Sequence, residues 1–447
     1  MTIKAAPILL AVACSLALAG CGTFGNVGGG SKKKQTKLPG ERIPVLTFQR
    51  QLEADPAIAQ IRVALPRPYR NASWAQPGGV PTHAMYHLSL ADELSKAWET
   101  DIGRGSEDYT QLVGEPVVAG GTVFTLDTKG RARAIDAATG RVEWEVEFEH
   151  EREKSGVAFG GGAAHGEGKL FVNTGYGYIA ALDPNSGREL WRQDFGIPLR
   201  AGPTVSGGRV FTQTHDNQLF ALNANTGERI WEQAALPENA GILGSASPAV
   251  LGDTVVAAFS SGELTAFRVE NGRVAWQDTL SRTARLTPLA TLADIDGQPV
   301  IDRGRVYANS HSGRMVAIDI RTGERVWEIN LGGINTPWVA GDFIYVTTAD
   351  NEVACVSSRD GRIRWVTQLQ RYKNQKKLRD NIAWSGPVLA GDRLILLSSH
   401  GYLVTLSPYN GRVLSGTRIG KGSFVTPVVA AETLFVMSDA GELIAYR

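Results

Sequence analysis

The chain has 447 residues, with 46 lysines and arginines against 45 aspartates and glutamates. Because this balance creates no overall field, net charge is excluded as a means of binding nucleic acid or an anionic membrane. The three cysteines, Cys14, Cys21 and Cys355, are too few for a disulfide framework or a thiolate metal cluster. Cys355 stands in an apolar, strand-like segment, so we predict that it is a small core residue.

The first twenty residues predict a secretory signal peptide. Lys4 is followed by an apolar run from Ala5 to Leu18 and then by small residues before Cys21. The run is shorter than the roughly 20 residues that a membrane-spanning helix needs. The ending Leu-Ala-Gly-Cys resembles the bacterial lipobox, which implies cleavage before Cys21 and lipidation of its thiol. Ordinary signal cleavage beside an incidental cysteine is the alternative. Since Gly22 follows rather than an aspartate, the resemblance favours an anchor in the periplasmic leaflet of the outer membrane.

Two non-repetitive segments follow the signal peptide. Residues 21–40 are rich in glycine and serine before a lysine run, which predicts a lipidated, flexible tether. Residues 41–95 form an N-terminal extension without internal repeats. Within it, the segment 74–79 predicts an extended stretch that lies on the globular part, and no function follows from its sequence.

The rest of the chain repeats one pattern. A glycine precedes two apolar strands, and a turn containing Asp or Asn and then Gly is followed by a tryptophan. The clearest copy runs from Gly208 to Trp231. The tryptophans of six units are Trp144, Trp191, Trp231, Trp276, Trp327 and Trp365, and a seventh unit has Ser415 in this place. A period of about 40–50 residues with several short strands predicts the blades of a β-propeller.

The last unit lacks its fourth strand. It ends at Tyr446 before a turn and tryptophan, while a matching strand with Trp98 opens the repetitive region. We therefore predict an all-β, eight-bladed β-propeller over residues 96–447, with four-stranded antiparallel blades. The first strand completes the last blade and closes the ring, because a propeller needs a device that leaves no open edge between blades. Each tryptophan is predicted to pack between neighbouring blades.

The repeats resemble those of the PQQ-dependent alcohol dehydrogenases. That resemblance raises a periplasmic quinoprotein dehydrogenase as an alternative, but members of that family hold their cofactor under adjacent cysteines, and this chain has no such pair. We therefore predict no enzyme activity, cofactor or metal. His215, His311 and His400 occupy the same slot in three units. Equivalent slots lie around a ring, so a shared turn position explains them better than a metal site.

Loops between a tryptophan and the next inner strand share one face of a propeller. One such loop contains Ile242 and Leu243, apolar residues where a loop is usually polar, and another contains Asp294 and Asp296. Exposed apolar loops on a rigid scaffold indicate protein binding. The alternatives are that Ile242 and Leu243 pack into a blade junction, and that the two aspartates form a turn or a weak cation site.

The lipobox, the eight blades and these loops together resemble the BamB family of propeller lipoproteins in the outer-membrane β-barrel assembly (BAM) machinery. The resemblance implies binding to BamA through its POTRA domains, association with other BAM components, and help with folding and insertion of outer-membrane proteins. It assigns Ile242, Asp294 and Asp296 as partner-binding residues. Leu243 stands where the family has an arginine, so this position is carried over without its charge. A lipoprotein that binds another envelope partner is the remaining alternative.

Overall fold

A computed structural model describes residues 52–149, 160–199, 201–237, 246–280 and 294–447. In this part of the chain the regular secondary structure is β, apart from one turn of 3-10 helix at Pro56–Ile58. Residues 52–447 form one compact unit. A search of the described ranges finds no helix with the length and apolar character that crossing a membrane requires.

Eight four-stranded antiparallel sheets form the blades, and each blade contributes one strand to each of four concentric positions. The innermost strands are β2 (Val117–Ala119), β6 (Gly161–Gly166), β10 (Thr204–Ser206), β14 (Ala249–Leu251), β18 (Val300–Asp302), β22 (Trp338–Ala340), β28 (Trp384–Ala390) and β32 (Val428–Ala430). The second strands are β3 (Thr122–Leu126), β7 (Lys169–Thr174), β11 (Arg209–Gln213), β15 (Thr254–Ala258), β19 (Arg305–Asn309), β23 (Phe343–Thr347), β29 (Arg393–Ser398) and β33 (Thr433–Ser438).

The two outer positions complete the blades. The third strands are β4 (Arg131–Asp136), β8 (Tyr178–Leu182), β12 (Gln218–Asn223), β16 (Glu263–Arg268), β20 (Met315–Asp319), β24 (Glu352–Ser357), β30 (Tyr402–Leu406) and β34 (Glu442–Tyr446). The outermost strands are β1 (Lys96–Asp101), β5 (Val142–Glu147), β9 (Glu189–Asp194), β13 (Arg229–Ala234), β17 (Val274–Thr279), β21 (Arg325–Ile329), β25 (Ile363–Gln368) and β31 (Val413–Arg418). A short hairpin, β26 (Tyr372–Asn374) and β27 (Arg379–Asn381), follows β25. Blades 1 to 6 take four strands each from β2 to β25, blade 7 is β28–β31, and blade 8 is β32–β34 with β1.

Closure of the ring follows the predicted design. β1 pairs antiparallel with β34, with Trp98 opposite Ala445. Beside this pair, the backbone N–H of Ser95 donates to Arg447 O at 2.7 Å, and the N–H of Arg447 donates back at 2.9 Å. The strand that begins the repetitive region therefore completes the last blade, and the prediction of an eight-bladed propeller is confirmed.

The tryptophans join neighbouring blades, as predicted. In seven outermost strands the indole Nε1 donates to a backbone carbonyl in the turn between the third and outermost strands of the next blade, over 2.7–3.2 Å. The turn itself requires glycine at its last position. Gly323 has φ +76°, and a Cβ there would lie 2.4 Å from Trp276 Cβ. Glycine therefore provides both the left-handed backbone and the room for the neighbouring ring.

Segment 74–79, predicted to lie on the globular part, contacts the inner strands at the centre of the ring, whereas Asp55 and Ile61 bond to the outermost strand of blade 6. Residues 71–91, which we call the hub, run once around the inside of the ring and bond to the blades in the order 8, 1, 2, 3, 4, 5, 6 and 7. The bonds are Ala431 N to Asn71 O (2.7 Å), Trp74 N to Val118 O (2.8 Å), His165 N to Ala75 O (2.6 Å), Val205 N to Gln76 Oε1 (2.8 Å), Val250 N to Pro81 O (2.7 Å), Ile301 N to Thr82 O (2.9 Å), Trp338 Nε1 to Tyr86 O (2.6 Å) and Leu88 N to Leu389 O (3.1 Å).

The hub is part of the hydrophobic core. Trp74 is 1% exposed and stacks on Trp338 of blade 6, with ring centroids 6.2 Å apart. Met85 and Leu88 are equally buried and belong to the same cluster as the inner strands of blades 6, 7 and 8. The innermost strands are three to seven residues long, and one edge of each faces the centre of the ring. The hub forms hydrogen bonds with backbone groups on these edges that would otherwise face the centre without a partner.

Candidate partner-binding site

The loops that enter the innermost strands surround a cavity at one mouth of the ring. The cavity has a volume of about 450 Å³, and segments before β2, β18, β22, β28 and β32 line it. Glu115, Asp296, Gln298 and Asn335 contribute its polar groups, while Trp384 and neighbouring residues contribute apolar surface. We call this cavity the cup; the hub does not line it, but bonds to Glu115 in its wall.

The hub is bonded to the wall of this cup through Glu115. One carboxylate oxygen, Oε2, accepts hydrogen bonds from Trp74 Nε1 at 3.1 Å and from Gly78 N at 3.0 Å. Burial raises the pKa of Glu115, although both hydrogen bonds act in the opposite direction. The Gly78 backbone approaches so closely that a Cβ would lie 2.5 Å from Gln298 Oε1. Glu115 therefore ties the hub to blade 1 directly beneath the mouth.

The two predicted aspartates lie on the loop that leads into β18, in different surroundings. Asp294 is 1% exposed, and its carbonyl accepts a hydrogen bond from His311 N at 2.9 Å. Ile295 packs in the core, while Asp296 is half-buried and lines the cup. Of the pair, only Asp296 lines the cup, and its two carboxylate oxygens are buried there. The buried Asp294 anchors the loop. Burial lowers the pKa of His311, and the nearby charge of Asp294 partly offsets this by raising it.

The loops of blades 5 and 6 pack closely at this position. A Cβ on Gly297 would lie 2.6 Å from Asn335 O, and the backbone N–H of Gln298 donates to Thr336 Oγ1 at 3.1 Å. These contacts hold the backbone on both sides of the mouth. Because loops that are fixed by a scaffold lose little entropy on binding, this geometry suits a preformed docking surface.

Ile242 and Leu243 lie outside the described residues, but both flanks of their loop are defined. On one side, Leu236 N donates to Glu263 Oε2 at 2.8 Å, and Asn217 Nδ2 donates to Leu236 O at 2.9 Å. On the other side, Ala246 is buried and Ser247 Oγ donates to Gly202 O at 2.8 Å. The loop leads into β14, whose neighbour in the ring is β18. The two predicted partner-binding loops therefore enter adjacent blades on the same face.

The lining residues Glu115, Gln298 and Asn335 were not predicted as site residues. A usable signal exists in the repeats, because all three stand two or three residues before an innermost strand. At this position other units have residues such as Gly202 and Ile382, so the polar side chains stand out when the units are compared. The predicted lipidation residue, Cys21, lies outside the described ranges and remains a prediction.

The three histidines of the shared slot lie in corresponding turns of blades 3, 5 and 7. Their backbone N–H groups bond locally: His215 to Pro198 O at 2.8 Å, His311 to Asp294 O at 2.9 Å, and His400 to Ser398 Oγ at 3.4 Å. Across the described ranges, no three His, Cys, Asp or Glu side chains converge in a way that would hold a metal ion. Cys355 is completely buried on β24, as predicted, and burial raises the pKa of its thiol.

Known proteins share both the sequence pattern and the fold. The sequence matches the family model described as "Outer membrane protein assembly factor BamB" over residues 90–155 and 128–367. The protein of that name from Escherichia coli is 31% identical over 340 residues, which cover 75% of this chain and 84% of the relative. The crystal structure of BamB from Moraxella catarrhalis superposes with a TM-score of 0.64 at 18% identity, covering 79% of this chain and all of that one.

Solved quinoproteins share the fold at greater sequence distance. The quinohemoprotein alcohol dehydrogenase of Comamonas testosteroni superposes with a TM-score of 0.65 at 14% identity, over 87% of this chain and 83% of that one. Identity at this level supports a shared fold and is no evidence of a shared activity. The sequence relatives and the matched family model agree with each other, and the chain belongs to the BamB family of outer membrane protein assembly factors.

Proposed function

We propose that this chain is a non-catalytic scaffold of the BAM complex, which binds the POTRA domains of BamA and thereby aids folding and insertion of outer-membrane proteins. Family membership supports the role in assembly. The proposed docking site is supported by the position of two loops that lead into adjacent blades. One contains Asp296, which lines the cup, and the other contains Ile242 and Leu243.

The two loops offer different kinds of contact to a partner. Asp296 lines the cup with a half-buried side chain whose carboxylate oxygens are buried, so we infer that it supports the shape of the mouth rather than a direct ion pair. Ile242 and Leu243 offer apolar surface. Because Leu243 replaces an arginine of the family, we infer that this loop binds by burial of apolar area rather than through an ion pair, and that salt affects this contact weakly.

Anchoring would keep the scaffold beside its partners. In this proposal Cys21 is lipidated and holds the protein on the periplasmic face of the outer membrane, with residues 21–40 as a tether. Several acyl chains give stable attachment, because each buried methylene contributes about 0.8 kcal/mol. The overall charge of only +1 agrees with an anchor made of lipid rather than of basic residues.

Co-purification from detergent-solubilised envelopes tests the proposal. The wild type should retain BamA, an Ile242→Arg, Asp296→Ala variant should lose it, and Asp253→Ala should behave as the wild type. Asp253 is a matched control because its carboxylate is exposed in a turn on the opposite face, where it pairs with Arg268. Asp294→Ala is tested separately with a stability measurement, since Asp294 is buried. Absence of BamA from the wild-type sample, or equal retention by the loop variant, would refute this docking site.

A further inference from the structure

The outermost strand of blade 7 differs from the other seven. β31 (Val413-Leu-Ser-Gly-Thr-Arg418) exposes all six of its residues, whereas each other outermost strand buries or half-buries its tryptophan. Ser415 occupies the tryptophan position, and Gly416 follows it. Val413 and Leu414 are 50% and 45% exposed. The strand therefore presents apolar and small side chains to solvent, with one charge, Arg418, at its end.

The missing tryptophan has a structural cause. Elsewhere the indole Nε1 donates to a carbonyl in a turn of the next blade; Trp365 of blade 6, for example, bonds to Pro408 O of blade 7 at 3.1 Å. The next blade after β31 is blade 8, whose third and outermost strands, β34 and β1, come from distant parts of the chain. No turn joins these two strands. At this junction a tryptophan would have neither the carbonyl that accepts the indole N–H nor the glycine against which the ring packs in the other seven blades.

β31 also has a free pairing edge. Among the described residues, β31 pairs only with β30 and is the last strand of its sheet, like the outermost strand of every other blade. Natural proteins protect such edges with charges, prolines, bulges or covering segments, because an unpaired row of N–H and C=O groups accepts another strand. β5 and β9 show this protection, each with three charged residues in six. β31 has neither a proline nor a charge before Arg418, and its own Ser415 hydroxyl bonds inward to Thr405 Oγ1 at 2.7 Å.

We propose that β31 is a docking edge for an extended, uncharged segment with alternating apolar residues, such as an unfolded strand of a β-barrel precursor. Main-chain hydrogen bonds to the free edge would supply affinity, and contact with Leu414 would favour an apolar side chain on one face of the segment. Ser415 and Gly416 leave room for large side chains on the incoming strand. This inference rests on the proposed role in assembly of outer-membrane proteins. It adds the site at which an unfolded precursor binds.

The comparison among blades supplies a matched control. Leu190 holds the position in β9 that Leu414 holds in β31, one residue before the tryptophan slot, and it is 40% exposed. Both leucines therefore have the same secondary structure and similar exposure. They differ in the neighbouring residue, which is Trp191 in blade 2 and Ser415 in blade 7.

Photo-crosslinking with a synthetic peptide tests the proposal. The probe is a soluble peptide of about ten alternating threonines and valines, near the upper length of ordinary strands, with one benzophenone side chain. Mass spectrometry should map the adducts to residues 413–418. Leu414→Lys should reduce the yield about fivefold, the factor expected for a loss of about 1 kcal/mol, while Leu190→Lys should leave it unchanged. A peptide methylated on all of its backbone nitrogens should not label the strand, because neither of its edges then has an N–H donor for pairing.

Three results would overturn the proposal. Adducts spread over all outermost strands would mean that blade 7 is not special, and equal labelling by the methylated peptide would mean adhesion without strand pairing. A dimer of the wild-type chain that Leu414→Lys dissociates, with no labelling by the peptide, would assign the edge to a second copy. BamA co-purification with Leu414→Lys is expected to stay at the wild-type level, so failure of this inference is distinguishable from failure of the proposed docking to BamA.

Discussion

His83→Asn tests whether the hub is an integral part of the folded protein. His83 is 3% exposed at the centre of the ring, and its Nδ1 lies 2.8 Å from Pro299 O. Its backbone has φ +58°, a left-handed conformation that asparagine tolerates well. The asparagine amide also contains a donor for Pro299 O. The substitution therefore removes the titratable ring with little disturbance of the backbone.

The expected effect follows from the pKa of His83. Burial lowers this pKa from 6.5 to about 4, because the charged ring would lose its hydration inside the hub. Between these values the unfolded chain binds a proton that the folded protein does not, so stability falls as the pH decreases through this window. One pKa unit corresponds to about 1.4 kcal/mol, which gives a loss of about 3 kcal/mol from this residue by pH 4.

Urea unfolding at a series of pH values between about 7.5 and 4 measures this loss. The free energy of unfolding of His83→Asn, relative to that of the wild type, should rise by about 3 kcal/mol across the series. Val274→Asn, a change of an exposed and non-titratable residue in blade 4, serves as the control and should keep the wild-type pH dependence. If wild type and His83→Asn lose stability in parallel on acidification, His83 is not buried as described, and the hub is not closed around it.

Three further substitutions test the joints of the propeller. Trp231→Phe should lower the free energy of unfolding by about 1–3 kcal/mol in urea titrations, because Val269 O loses the indole donor at 2.9 Å; a cost near zero would count against the blade joint. Glu115→Gln should be more stable than the wild type at neutral pH, since burial raises the pKa of Glu115 and penalises its ionised form. This advantage should shrink as the pH falls into the carboxyl range, and an advantage that grows on acidification would have the wrong sign. Ser415→Trp should give no gain in melting temperature, because blade 8 offers no turn to receive the ring; clear stabilisation would contradict that explanation of the missing tryptophan.

The repeat made most of the fold predictable. Each blade is specified by local features, such as the Asp-x-x-Thr-Gly turn in which Asp136 Oδ1 accepts from Thr139 N at 2.7 Å. The closing strand was predictable because Trp98 supplies the element that the last unit lacks. The hub was not predictable in its position. Its conformation depends on bonds to residues such as Val118 and Leu389, which are far away in the sequence, and it repeats no pattern of its own.

The candidate site was also predictable from the sequence only in part. The two loops were found through resemblance, and the structure describes Asp294 and Asp296 in different roles that sequence spacing does not separate: one buried, one at the mouth. Glu115 was missed because its importance comes from two bonds to the hub. The exposed strand β31 was visible in the sequence only as a missing tryptophan, and its free edge became apparent from the topology.

Photo-crosslinking in living cells tests the central claim most directly. A photo-reactive amino acid is introduced at Ile242 or at Asp296 on the proposed docking face, and at Asp253 on the opposite face as the control. We predict adducts with BamA from the first two positions and none from the third. Adducts with BamA from Asp253 at equal yield, or none from either loop position, would contradict the account.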